Sequence, residues 1–132
     1  MRVVLDADVL IGALDASDPH HAEACTLFTA WEARDDSRLI SVVNLTEVLV
    51  APAADARRLR AARQAIRALG VIVHRPGEAI GVAAARLRSA HPISLPDAYC
   101  LASAGQSRSS LASFDEKVLR VARSEGIPLI SH

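Results

Sequence analysis

Apolar and polar positions alternate along the chain in short blocks. Residues 2–5 form a brief apolar run rich in β-branched side chains, too short for a helix and suited to a buried strand that ends on Asp6. Residues 8–14 read as a short helix and 15–18 as a polar break; Pro19 then opens a helix capped by Ser17 or Asp18, with Ala24, Leu27, Phe28 and Trp31 on one face. A second strand is expected over 39–42. It is followed by a helical stretch through Ala51, an interruption at Pro52, and a longer helix in which Leu59, Ala62, Ile66 and Leu69 have helical spacing before Gly70 stops it. A third strand over 71–74 leads to a helix over 78–89 that turns Ile80, Ala83, Ala84 and Leu87 inward, and then to a loop over 91–94. The chain closes with a helix over 96–104, a strand over 111–114, a helix over 115–124 burying Val118, Leu119 and Ala122, and a last strand over 128–130. No repeat, linker or low-complexity segment interrupts the pattern.

Short apolar strands alternating with amphipathic helices predict a parallel sheet covered on both faces, because parallel pairing needs a crossover helix. The expectation is a three-layer α/β/α fold, with residues 1–132 as a single domain, in line with the usual ~100 to 200 residues per domain. In such sheets ligands bind beyond the carboxyl ends of the strands. Polar residues at those ends are therefore the first candidates for chemistry.

Composition narrows the choice of partner. Hydrophobic residues make up 51% of the chain, enough for an ordinary core and against disorder as the main state. Lys+Arg and Asp+Glu are both 15, so no whole-molecule field draws the protein onto nucleic acid or an anionic membrane, and any such binding must come from a local patch. No apolar run approaches the ~20 residues of a membrane span, and Met1 leads directly into the first strand without a secretory n-region, so a soluble cytoplasmic protein is expected. Cys25 and Cys100 belong to no metal or redox motif and read as two small buried hydrophobes.

Four acids fall where the expected fold would gather them. Asp6 ends the first strand, Glu47 lies about a turn and a half into the helix after the second, Asp97 opens a helix, and Asp115 follows the fourth strand. Helical side chains lean toward the N-terminus, so Glu47 can reach back over its strand end, with Asn44 one turn earlier on the same face. Carboxylates gathered together resist ionisation unless a hard divalent cation such as Mg²⁺ neutralises them. Such an ion activates water and orients a phosphodiester, which makes phosphoryl chemistry on a nucleic acid the natural use. Each acid also has a structural reading. Asp115 suits a helix N-cap, with Ser113 and Glu116 at capping-box spacing; Ser94 and Asp97 have that spacing too; and Glu47 is solvated if its helix is exposed. Asp6, at the end of a buried run, has no such alternative.

VVLDADVLIGAL at the start, SVVNLTEVL in the middle, LPDAYCLASA later and LASFDEKVL near the end resemble the four acidic motifs of PIN-domain nucleases, in order and over nearly the whole chain. Length and the DPHHAEA segment are most similar to VapC toxins, the ribonuclease half of VapBC toxin–antitoxin pairs. The resemblance implies a five-stranded parallel sheet of order 3-2-1-4-5, Mg²⁺- or Mn²⁺-dependent endonucleolytic cleavage of RNA, homodimerisation, and inhibition by a cognate VapB-type antitoxin. Carried over by position, Asp6, Glu47, Asp97 and Asp115 match the catalytic acids, with Asp6, Asp97 and Asp115 as metal ligands, while Asp8, Asn44 and Ser113 match supporting polar positions. The implied chemistry is attack of a metal-activated water on the RNA phosphorus, with Glu47 positioning or deprotonating it.

Arg57, Arg58, Arg60, Arg63 and Arg67 crowd one helix, and Arg60, Arg63 and Arg67 share the face opposite its apolar stripe. They are candidate RNA phosphate contacts or an ordinary solvated face. Aromatics are only 3% of the chain, so base stacking is limited, with Tyr99 or Trp31 as its candidates; Trp31 otherwise suits the core or a dimer interface. His20 and His21 diverge on a helix start and read as surface or packing residues, and His74, His91 and His132 share no ligand spacing.

Two rivals come from other classes. VVLDADVL also resembles the DxD signature of haloacid-dehalogenase-type phosphatases, with Asp6 as nucleophile, Asp8 as acid and Ser41 as second motif, but Lys117 is the sole Lys and no paired late acids follow it. A phosphorylated receiver domain fits less well still, since no Asp ends the second or third strand of this chain. A PIN-like binding module without a working site is the other alternative.

Overall fold

In the computed structural model, which describes residues 1–130, the opening apolar run forms β1 (Arg2–Leu5) inside a parallel sheet completed by β2 (Ser37–Ser41), β3 (Val71–His74) and β4 (Ser110–Ala112). The helices are α1 (Ala7–Leu14), α2 (His21–Arg34), α3 (Val42–Leu49), α4 (Ala56–Ala68), α5 (Glu78–Ala90), α6 (Leu95–Ser107) and α7 (Glu116–Ser124), with a 3-10 turn at Pro52–Ala54 before α4. Strand order is β3-β2-β1-β4, and Val4 stands opposite Leu39 on one side and Leu111 on the other. β1 is thus paired on both edges, and its side chains alternate between two cores. Val3 and Leu5 join Val9, Leu10, Leu27, Phe28, Trp31, Ile40, Val48 and Ile66 on one face; Val4 joins Leu111, Ile80, Leu101 and Val118 on the other. Burial on both faces is why the strand reads as an unbroken apolar run.

The fifth strand expected over 128–130 is reduced to one parallel bridge. Leu129 pairs with Leu111, Leu111 donates its N–H to the Pro128 carbonyl at 2.8 Å, and Ile130 donates to the Leu111 carbonyl at 3.0 Å. Proline has no N–H to continue a ladder there. The described sheet therefore has four strands, with this bridge on the outer side of β4.

Other boundaries moved for identifiable reasons. β2 begins at Ser37 and ends at Ser41, because the Ser41 hydroxyl accepts the Val43 N–H and caps α3, which makes Val42 helical. Its polar start hid the strand, yet Arg38 is buried, with Nη1 on Glu32 at 2.8 Å. Gly70, at φ +73, lies flat against that guanidinium, and a Cβ there would meet Arg38 Nη2 at 2.8 Å. The second helix begins at His21. Asp18 accepts the His20 N–H at 2.8 Å in a turn of its own, so neither Ser17 nor Asp18 caps the helix.

Trp31 is fully buried, edge-on to Phe28 at 5.0 Å between ring centroids, which makes it a core residue. Cys100 is buried as expected, whereas Cys25 is only half-buried, with its sulfur 3.6 Å from His21 Nε2. Among the described residues, no helix is long and apolar enough to cross a membrane. His132 lies outside the described residues.

Candidate active site

The carboxyl ends of β1, β2 and β4 lie side by side, and the helices that leave them begin with capping side chains. Asp6 follows β1 and is almost fully buried. Its Oδ1 accepts the Ala7 N–H at 2.8 Å, and its Oδ2 accepts the Ser113 hydroxyl at 2.7 Å. Ser113, itself fully buried after β4, also accepts the Asp115 N–H at 3.0 Å. One hydroxyl therefore fixes the acid of the first strand and the backbone of the last. Asp115 is the N-cap of α7, accepting the Lys117 N–H at 2.9 Å, so the capping reading holds; the Ser113–Glu116 capping box does not, since Ser113 bonds elsewhere.

Asn44 performs the same tie for α3. Fully buried, it donates through Nδ2 to Glu47 Oε1 at 3.0 Å and to the Pro96 carbonyl at 3.1 Å, joining α3 to the first turn of α6. Glu47 itself is exposed. Ser94 caps α6 by accepting the Asp97 N–H at 3.2 Å, which leaves the half-buried Asp97 carboxylate uncommitted to the cap.

Asp8 has a larger part than a supporting position suggests. Its Oδ2 accepts the Phe114 N–H at 3.0 Å and the Val9 N–H also favours its charged form, while its buried Oδ1 has no partner within hydrogen-bond geometry among the described residues. A buried, unpaired carboxylate oxygen is costly and marks a place where something positive or protic belongs.

The electrostatics tie the acids into one cluster. Burial first, and then the charges of Asp8 and Asp97, push Asp6 up from its usual range to about 7, against the opposing hydrogen bonds of Ser113 and Ala7. Burial likewise pushes Asp8 up to about 6, with Asp115 and Asp97 adding repulsion and the Phe114 N–H opposing. Cys100, fully buried on α6 beneath them, has its thiol held well above the usual range by burial and by the fields of Asp6, Asp8, Asp97 and Glu47. The expected acids therefore converge, with Asp8 among them. Among the described residues, no three His, Cys, Asp or Glu side chains are already drawn into a ligand cage.

The basic face is organised differently from the pattern on α4. All five of its arginines are exposed, and among the described residues none forms an ion pair or hydrogen bond through its side chain. Arg58 borders an open groove of about 580 Å³ together with Ile11, Leu14, Asp15, Glu47 and Ala62, whereas Arg60, Arg63 and Arg67 lie outside it. No periodicity would have singled out Arg58. Tyr99 packs against the core on the α5–α6 side, and His21 Nδ1 lies 2.8 Å from the Gly12 carbonyl. His20 stacks on Phe114, a contact no sequence spacing announces.

Asp6 is poorly suited to act as a phosphatase nucleophile. It is 5% exposed with both oxygens hydrogen-bonded, an arrangement that holds a carboxylate in place and does not present it to a phosphorus.

The PIN-domain family model matches residues 3–124. No curated protein matches the chain. Among solved structures, the chain is similar to a protein in a toxin–antitoxin complex from Klebsiella pneumoniae (24% identity, 89% of each chain, TM-score 0.72). It is also similar to Mycobacterium tuberculosis VapC20, a sarcin-ricin loop cleaving toxin (17% identity, 97% of this chain and 98% of that one, TM-score 0.75). A third is VapBC2 from Rickettsia felis bound to a DNA fragment from their promoter (13% identity, 98% of each chain, TM-score 0.74). At these identities the likeness is one of fold.

Proposed function

The chain belongs to the PIN-domain family, and from that premise we propose that it is a metal-dependent endoribonuclease serving as the toxin of a toxin–antitoxin pair. The observation that carries the reading is the convergence of Asp6, Asp8, Glu47, Asp97 and Asp115 at one end of the sheet, where burial first, and then the fields of neighbouring carboxylates, make Asp6 and Asp8 hard to ionise. Likeness of fold to toxin chains over nearly their full lengths supports the biological role.

The donor set suits a hard divalent ion. It is all carboxylate oxygen, and Asp8 Oδ1 is buried without a partner. Asp6, Asp97 and Asp115, joined by Asp8, would hold Mg²⁺ or Mn²⁺. When bound, such an ion supplies Lewis-acid activation of water and of the phosphodiester. The protein does the positioning. Ser113 fixes Asp6 and the Asp115 backbone; Asn44 holds Glu47 through Oε1, which leaves Oε2 as the atom that would accept a proton from water. No covalent nucleophile is required. Arg60, Arg63 and Arg67 are assigned to phosphates of the RNA away from the scissile bond. The protein acts in the cytoplasm as a homodimer and is silenced by a cognate VapB-type antitoxin.

The test is cleavage of a structured RNA mixture by the purified protein with Mg²⁺ or Mn²⁺, against EDTA, with a generic phosphatase substrate in parallel. Asp97→Asn is the informative variant, because Asp6→Ala also removes a helix cap and a buried hydrogen bond. Metal-dependent cuts lost in Asp97→Asn are expected. Phosphatase turnover would move the protein to another chemistry, and RNA or metal binding without any cleavage would make it a binding module.

A further inference from the structure

We propose that the stacked rings of His20 and Phe114 form a shelf on which an unpaired base of single-stranded RNA stacks beside the acidic cluster, an inference that rests on the endoribonuclease reading above. The two rings lie 4.4 Å apart between centroids and 15° from parallel. Phe114 is the inner member and is fixed by the site itself. It sits between Ser113 and Asp115, one peptide unit of about 3.8 Å from each, and its N–H is held by Asp8 Oδ2 at 3.0 Å.

His20 is the outer member, with 48% of its side chain exposed. It occupies the N-cap position of α2 but makes no capping bond with its side chain. Instead Asp18 holds its N–H at 2.8 Å and its Nδ1 lies 3.6 Å from Glu23 Oε2, and the ring lies nearly parallel to Phe114 while much of the side chain stays exposed to solvent. An imidazole that neither caps nor enters the core, laid over a ring anchored to three site residues, is a π surface placed at the site's edge.

The other large rings are committed elsewhere: Phe28 and Trp31 pack on each other in the core, and Tyr99 packs on the α5–α6 side. With stacking so scarce in this chain, a single shelf would favour a nucleotide whose base is already free of a partner. Base–aromatic stacking tolerates any base and, lost at one position, weakens binding by about tenfold or more. Catalytic steps at the acids would not feel it directly.

The experiment uses single-stranded RNA octamers carrying 2-aminopurine at successive positions, titrated in EDTA with the full chain as wild type, His20→Ala and His20→Trp, with each variant's thermal melting checked. The same octamers are then cut in Mn²⁺. Quenching at one position by wild type and His20→Trp, lost in His20→Ala together with an about tenfold rise in KM at similar kcat, is the expected result. Equal quenching and equal KM for His20→Ala would overturn the shelf while leaving the nuclease intact. Position-specific quenching without cleavage of any RNA would overturn the nuclease reading and leave the shelf as an RNA-binding feature. Absence of quenching by wild type overturns the shelf whatever the cleavage result.

Discussion

The Ser113 hydroxyl donates to Asp6 Oδ2 at 2.7 Å, joining the ends of β1 and β4. Because the same oxygen accepts the Asp115 N–H at 3.0 Å, one small side chain sets the separation of two acids from opposite ends of the chain. Ser113→Ala leaves Asp6 Oδ2 buried without that donor. The expected cost is ~1–3 kcal/mol of stability by denaturant unfolding, with divalent-ion affinity lower by roughly 10–100-fold, as for other groups that orient metal ligands. Wild-type metal affinity in this variant would show that the tie is purely structural.

Asp8 carries the clearest conflict between stability and use. Its Oδ1 is buried without a partner, and burial pushes its carboxyl up to about 6. Asp8→Asn keeps an oxygen for the Phe114 N–H and removes the charge, so the metal-free protein should melt higher at pH 8 while cleavage falls at least tenfold. A variant that is both less stable and fully active would contradict the assignment.

The metal-free protein should lose stability as pH rises. Asp6 and Asp8 have folded-state values of about 7 and about 6, against 3.8 in the unfolded chain, so between these limits the folded state holds more protons than the unfolded one. Stability from these groups is therefore full below about pH 4 and declines through pH 7, by a total on the order of a few kcal/mol. Melting in EDTA should drop between pH 5 and pH 8. Mn²⁺ should restore it at pH 8 and matter little at pH 5, where protons compete for the same oxygens. A flat profile in EDTA would mean that the acids are better solvated than their burial indicates.

How much of this could be read in advance depends on the range of the interaction. Asp6 was legible as a strand-end acid because burial of β1 on both faces writes an apolar run, and residues 71–74 were legible as β3 from their β-branched run, although Ile72 and Val73 are exposed on this edge strand. Ser37 and Arg38 hid the start of β2, since the partner that makes Arg38 buriable, Glu32, sits on the preceding helix. Asp8 was read only as a supporting polar position because the N–H it accepts belongs to Phe114 near the other end of the chain. The His20–Phe114 stack and the groove shared by Arg58 and Glu47 likewise bring together residues distant in sequence. The fifth strand was expected both from the pattern over 128–130 and from the family resemblance, and Pro128 limits it to a bridge.

Asn44→Ala should separate orientation from charge. The change removes the donor to Glu47 Oε1 and the tie to the Pro96 carbonyl but leaves every acid in place. Unfolding should cost ~1–3 kcal/mol, and kcat should fall about tenfold with a smaller change in KM, because a freed Glu47 samples many rotamers. Unchanged kcat would remove Glu47 from proton transfer and leave Asn44 as a brace between α3 and α6.

The exposed arginines of α4 are open to a salt test that distinguishes phosphate contacts from a solvated face. With zero formal net charge, the protein has no general attraction for RNA, so any steep salt dependence must come from a local set of cations. If Arg60, Arg63 and Arg67 each neutralise one phosphate of a single strand, log K falls with log salt by about 0.7 per contact, and replacing all three with Gln should flatten the slope by about 2. These residues lie outside the groove that holds Glu47, so kcat should hold while KM rises at low salt. Three exposed substitutions on a helix opposite its buried Ile66 should leave melting nearly unchanged. An unaltered slope would mark the stripe as solvent-facing and shift attention to Arg58, the arginine that lines the same groove as Glu47.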